Sequence, residues 1–136
     1  MREFIFCGKR LDNGEWVYGS LSTEYQQECG CVMISPTSDT CYKVDPETVG
    51  QFTGRKDLNG NKVFENAILQ LYTVWADGTR EKSAKVIVRW WDNDQCYVLT
   101  TKDGAHCDDF GNYGRPEYYE VIGNIHDNPE ILEVRE

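Results

Sequence analysis

The sequence predicts a mainly β protein (α+β at most): antiparallel hairpins and a β-meander curling into a small SH3-like barrel, with one or two short helical turns. Three observations lead there. No stretch sustains a 3.6-residue apolar period, short runs of alternating apolar and polar residues recur along the chain, and turn pairs such as Asn13-Gly14, Asn59-Gly60 and Asp77-Gly78 separate those runs. Asn-Gly and Asp-Gly pairs readily take the positive φ angles that tight hairpins require, so they mark reversals.

In chain order, Phe4-Ile5-Phe6 and Glu15-Trp16-Val17-Tyr18 read as two strands around the Asp12-Asn13-Gly14 turn. Phe4 and Phe6 share a face, as do Trp16 and Tyr18, and these aromatics are expected to form one side of a core. Ser22 to Gly30 is polar and reads as an exposed, mobile loop. Val32-Met33-Ile34 and Thr40 to Val44 form a second hairpin across Ser35 to Asp39.

Asp45-Pro46-Glu47 has the chemistry of a helix start, a capping carboxylate followed by proline at the first position. Gly50 and Gly54 limit that helix to one or two turns. After the Asp57-Leu58-Asn59-Gly60-Asn61 turn, Lys62-Val63-Phe64 is a short strand. Phe52 and Phe64 are expected to tie the two halves of the chain to one core.

Ala67 to Trp75 carries apolar residues on both faces, the mark of a strand covered on both sides. Ala84 to Trp91 returns antiparallel with Val86, Val88 and Trp90 on one face, and Cys96 to Thr100 follows after Asp92-Asn93-Asp94. Three strands joined by short turns make a meander, which twists strongly. Lys102 to Arg115, rich in Gly, Asp, His and Asn, reads as a long surface loop. Glu117 to Gly123 closes the sheet, and Pro129 stops further pairing in the tail, which Ile131 and Leu132 dock.

A length of 136 residues with 40% hydrophobic and 12% aromatic content fits one domain that buries enough apolar surface to offset chain entropy. That single domain, 1–136, divides into N-terminal hairpins (1–44), a connecting helical turn and loop (45–66), the meander or barrel (67–125) and a tail (126–136). No apolar run approaches the ~20 residues of a membrane helix, and the charged N-terminus lacks a signal-peptide pattern, so a cytoplasmic location is expected and no membrane partner. The net charge of −9, from 14 basic and 23 acidic residues, keeps the chain soluble and repels nucleic acid at long range.

Six cysteines (Cys7, Cys29, Cys31, Cys41, Cys96 and Cys107) read as free thiols in a chain without a secretory signal. Cys29, Cys31 and Cys41 are the zinc candidates, with His106 or Cys107 as a fourth ligand. Only one residue separates Cys29 from Cys31, tighter than a structural zinc knuckle, and no second knuckle follows. The plainer reading is small buried thiols with no metal.

The assembled residues resemble the YopX family of phage and prophage proteins. Phe4 to Gly19, with Gly8-Lys9-Arg10 and Asn13 to Gly19, carries the resemblance first. Thr48-Val49-Gly50-Gln51-Phe52-Thr53-Gly54 through Asp57, Asn59-Gly60 and Phe64-Glu65 is its most specific part. Val88-Arg89-Trp90 and the segment Glu120 to Leu132 complete it. One departure stands out: where the family has Gly-Asp-Ile-Val after Phe-Glu, this chain has Asn66-Ala67-Ile68-Leu69, so any chemistry of that carboxylate in relatives is absent here. The resemblance implies a phage-derived cytosolic protein, mostly β, and points to no catalytic residues and no cofactor.

No catalytic constellation emerges from the residues. His126-Asp127 are neighbours, which seldom point at each other, and Asn124, Asp127 and Asn128 are the residue types that fold a tail through side chain to backbone bonds. Gly-Gln-Phe-Thr-Gly lacks the Gly-Lys-Ser/Thr ending of a phosphate loop. The reading is therefore a non-enzymatic protein-interaction or self-associating module, with Trp91, Arg89 and Tyr97 as the candidate interaction surface. Adjacent Trp90 and Trp91 must point to opposite faces, so one indole is expected at the surface or an interface. The first alternative is a small-barrel nucleic-acid binder using Trp90, Trp91, Tyr97, Arg89 and Lys102; the second is an enzyme of undetermined class.

Overall fold

The computed structural model describes residues 5–23, 32–93, 95–104, 106–110 and 116–133. It is mainly β, as the alternation predicts, with eleven strands and three short 3-10 segments among those residues. Among them, no helix is long and apolar enough to cross a membrane. The chain packs as two compact units, Met1–Phe52 and Thr53–Glu136.

In the first unit, β1 (Phe6–Lys9), β2 (Trp16–Ser22), β3 (Val32–Thr37) and β4 (Thr40–Val44) form an antiparallel meander, and the start of β5 (Gly50–Lys56) adds to the far side of β1. The register pairs Phe6 with Gly19, Gly8 with Val17 and Leu21 with Ile34. Val32, Ile34 and Val44 are fully buried, with Phe6, Val17, Leu21 and Val49 packed against them. The first hairpin therefore turns Val17 to the core. Tyr18, expected there, is half-exposed, and Trp16 lies under Lys9 Nζ at 5.8 Å. Alternation sets which residues share a face; which face goes inward is settled by pairing with β3.

Gly19 is needed for that pairing. A Cβ there would sit 2.2 Å from the Ser35 carbonyl oxygen, well inside contact distance. A single bridge between Arg10 and Val44 draws the ends of β1 and β4 together, helped by Leu11 N donating to Lys43 O (3.0 Å) and Asp45 N to Lys9 O (2.9 Å). The Asp45 cap forms as its sequence predicts: Oδ1 accepts from Glu47 N at 3.0 Å and opens a 3-10 turn over Pro46–Thr48. The buried Thr48 hydroxyl accepts from Lys9 N (2.9 Å) and donates to Asp45 O (2.7 Å), which fastens that turn to β1.

In the second unit the end of β5 meets the short β6 (Lys62–Phe64), where Thr53 Oγ1 donates to Val63 O at 2.8 Å. The meander follows as β7 (Ala67–Val74), β8 (Arg80–Trp91) and β9 (Cys96–Thr100). β10 (His106–Asp109) continues it beside β9, and β11 (Tyr119–Asn124) returns to pair with β7, giving the order β10-β9-β8-β7-β11. The sheet does not curl into the expected closed barrel. β10 and β11 remain at its opposite edges, and among the described residues the first unit's β1 and β4 meet through the isolated Arg10–Val44 bridge. β10 also corrects the reading of Lys102 to Arg115 as a surface loop, and the next residue, Phe110, is wholly buried.

The core of this unit is Val63, Ala67, Leu69, Leu71, Val86, Val88, Leu99, Phe110 and Tyr119. Phe110 and Tyr119 meet edge to face, centroids 5.1 Å apart at 68°. Each fully buried aliphatic side chain here contributes roughly 1.5–3 kcal/mol. Ile68, Ile87 and Val98, on the other face of the same strands, are buried too, as two-sided covering of β7 predicts. The apolar residues thus gather in two clusters. Phe52, expected with Phe64 to tie the halves to one core, is buried at the end of the first unit, and Phe64 is half-buried in the second.

Asparagine side chains fold the tail, as the sequence suggests. Asn124 Oδ1 accepts from His126 N and Asp127 N, both at 2.9 Å, and its Nδ2 donates to Asp127 Oδ2 at 3.3 Å. Asn128 Oδ1 accepts from Asn124 N at 3.3 Å and lies where a Cβ on Gly123 would come within 2.6 Å. The tail can fold back this closely only over glycine.

Candidate functional site

The β8–β9 hairpin positions most of the residues singled out from the sequence. Its register pairs Ile87 with Thr100, Arg89 with Val98, Trp90 with Tyr97 and Trp91 with Cys96. Directly opposed residues share a face and alternate residues repeat it. Arg89, Trp91, Val98 and Thr100 therefore lie on one face, and Trp90 and Tyr97 on the other. The proposed surface of Arg89, Trp91 and Tyr97 is not one surface: the structure brings Arg89 and Trp91 together and places Tyr97 behind them. Lys102 is exposed in the turn beyond β9.

Trp90 is the more exposed indole of the pair, at 42% of its full accessible surface, while Trp91 is half-buried. Trp90 is held from two sides. Its Nε1 donates to Asp92 Oδ1 at 2.7 Å, and its ring meets Tyr97 edge to face at 5.0 Å and 72°. Burial, followed by the field of the Glu65 carboxylate, pushes the Tyr97 phenol up to about 12.

On the Arg89 side, a depression of about 220 Å³ is lined by Arg89, Trp90, Trp91, Val98, Thr100 and Gly104. That is room for roughly seven waters at ~30 Å³ each, a side-chain-sized space well below a typical cofactor pocket. Arg89 is oriented from outside it, since its Nη1 donates to Asn66 Oδ1 at 2.9 Å. Asn66 sits at φ +74° between β6 and β7, its N donating to Val88 O (2.8 Å) and its O accepting from Ile125 N (3.1 Å). Asparagine is among the few residues that tolerate this left-handed conformation. The neighbouring Ala67 is buried in the apolar core.

Thr100 is 4% exposed, and its Oγ1 has no hydrogen-bond partner among the described residues. A buried hydroxyl in that condition is uncommon and asks for a ligand or an explanation. Neither Thr100 nor Asn66 was singled out from the sequence. The signal available was the β-strand period, which places Thr100 two residues from Val98; the cross-strand register that adds Arg89 is not local information.

A second polar cluster surrounds Asp57, 2% exposed. Its Oδ1 accepts from Asn59 N (2.9 Å) and Asn61 N (2.8 Å), and its Oδ2 from Val121 N (2.9 Å). Beside it, Glu120 accepts from Asn59 Nδ2 (3.0 Å) and from the Tyr72 hydroxyl (2.9 Å). With three backbone donors satisfied by one carboxylate, Asp57 locks the 57–61 turn to β11, and its oxygens are already committed.

Of the zinc candidates, Cys41 is exposed on β4, whereas Cys29 and Cys31 lie outside the described residues, as does most of the Ser22 to Gly30 loop. His106 and Cys107 fall on β10. Among the described residues no three His, Cys, Asp or Glu side chains gather as a metal site.

No curated protein matches this sequence. The family model described as YopX protein matches residues 6–133, nearly the whole chain. The motifs that suggested the resemblance all lie within that span, apart from Phe4 and Ile5 at its start. The chain belongs to the YopX protein family.

Proposed function

We propose that this chain is a non-enzymatic protein-interaction module of phage or prophage origin, acting in the host cytoplasm and docking partners through the β8–β9 corner of its second unit. The observation that carries this reading is Trp90: a large, exposed aromatic ring held rigid by Asp92 and Tyr97, on a hairpin whose opposite face carries a depression walled by Arg89 and Trp91. Fixed aromatics next to an arginine are the side chains that dominate binding energy in protein interfaces, because they bury much area with little further loss of freedom. The net charge of −9 favours a protein partner over a nucleic acid.

The test combines light scattering across a wide concentration range with affinity capture from host lysate, each done with the native chain and with Trp90→Ser. A mass that grows with concentration, or one stoichiometric captured protein, should be lost in the variant. Monomer at every concentration, together with capture indifferent to Trp90, would defeat the reading. Tight binding of single-stranded or duplex oligonucleotides at ~50 mM salt would replace it with the nucleic-acid alternative.

A further inference from the structure

We infer that the depression beside Trp91 is a receptor for a single carboxylate, supplied by an acidic side chain of the docked protein, with Arg89 and the Thr100 hydroxyl as its two binding groups. The inference rests on the interaction reading above and adds the chemistry of the group that enters.

Four observations converge on it. Thr100 is more than nine-tenths buried and lines the depression, and its Oγ1 has no partner among the described residues. A hydroxyl can donate to a carboxylate oxygen and so lose the penalty of an unmade hydrogen bond. Arg89 lines the same space, and Asn66 Oδ1 takes just one of its five N–H donors. Asn66 is neutral, so no described carboxylate balances this guanidinium within ion-pair distance. Val98 and the Trp91 indole then wall the space with apolar surface, and in such surroundings a charge-assisted hydrogen bond gains strength.

Size and charge select the ligand. About 220 Å³ admits an Asp or Glu side chain and excludes a nucleotide. One guanidinium balances a monoanion. A phosphate dianion would bring a second negative charge, unbalanced by a single guanidinium, to a chain already at −9. A neutral amide of the same shape would leave the arginine unbalanced, so it should bind much more weakly. The site discriminates by charge first and by shape second.

Sodium propionate, the glutamate side chain without its backbone, is the probe, with propionamide as its uncharged isostere. Titrations of the full chain are followed by the indole N–H signals of Trp90 and Trp91 and the backbone amide of Thr100. Propionate should give saturable shifts at these positions, and propionamide should bind about tenfold more weakly or not at all. Arg89→Gln should weaken propionate by about tenfold and Thr100→Val by a smaller factor, with amide spectra showing that the fold is kept. Shifts that stay linear to the solubility limit, or equal response to propionamide, would overturn the inference on the unmodified protein alone. The outcome is separable from the docking reading: propionate can bind a chain that shows no partner, and Trp90-dependent docking can persist with a site indifferent to carboxylate.

Discussion

In the first unit, three fully buried residues, Val32, Ile34 and Val44, hold the interior, ringed by half-buried Phe6, Val17, Leu21 and Val49. In the second, nine buried residues from Val63 to Tyr119 form a core that includes two aromatic rings in contact. The thinner interior is compensated by backbone proximity: Gly19 lets β2 lie against Ser35, and Thr48 and Asp45 tether the 3-10 turn to β1. The thicker interior stabilises through volume, and it supports the hairpin that carries a rigid Trp90 on one face and the Arg89 depression on the other. A recognition surface needs side chains whose positions are over-determined, and the second unit is built to supply that.

The sharpest way to test this contrast is to empty each core in turn. Leu69→Ala removes three buried heavy atoms' worth of packing from the middle of β7 and should cost about 3–4 kcal/mol. Ile34→Ala in the first unit should cost less, about 2–3 kcal/mol, because a small core ringed by half-exposed side chains collapses more easily around a void. Amide exchange protection in β7–β9 and in β2–β4 reads the two effects separately. Equal losses would erase the distinction between the units.

Next in size is Gly19→Ala. The added methyl meets backbone, not a flexible side chain, so β2 and β3 must part, at about 2 kcal/mol. Protection should fall in β2 and β3. If it stays unchanged, the claim that the first unit depends on close backbone approach is wrong. Asp57→Asn is the counterpart in the second unit. The amide replaces one accepting oxygen with a donor, so at least one of the Asn59, Asn61 and Val121 amides loses its acceptor, at roughly 1–2 kcal/mol. The corresponding amide proton resonance should move upfield as the charged acceptor disappears, and the thermal midpoint should drop.

These residues also mark what sequence reading can and cannot reach. Local chemistry was legible: the Asp45 cap, the Asn13-Gly14 and Asp77-Gly78 turns, the Lys62-Val63-Phe64 strand, and β7 to β9 with their buried faces. Non-local pairing was not. Asp57 reads as an ordinary turn residue until its Oδ2 is seen bonded to Val121, 64 positions away. Phe110 sits among Gly, Asp and Asn and reads as loop, yet it is buried against Tyr119. At the candidate site, adjacency of Trp90 and Trp91 correctly implied opposite faces. That Trp91 joins Arg89 and Thr100, and that Tyr97 backs Trp90 instead, follows only from the β8–β9 register.

The smallest expected effect bears on the same corner. With the Tyr97 phenol pushed up to about 12 by burial and by Glu65, its neutral form is favoured in the folded chain over the unfolded one, where a phenol titrates near 10. Its contribution to stability is thus fully present below pH ~10 and is lost as pH rises through about 12. Stability measured by denaturant should fall over that window, less steeply in Tyr97→Phe, and phenolate absorbance should show one slow-titrating tyrosine missing from that variant. Glu65→Gln should move its midpoint back toward the ordinary value. If Tyr97 ionises together with the exposed tyrosines near pH 10, the ring behind Trp90 is not walled off, and Trp90 loses one of the two supports that make it a fixed anchor.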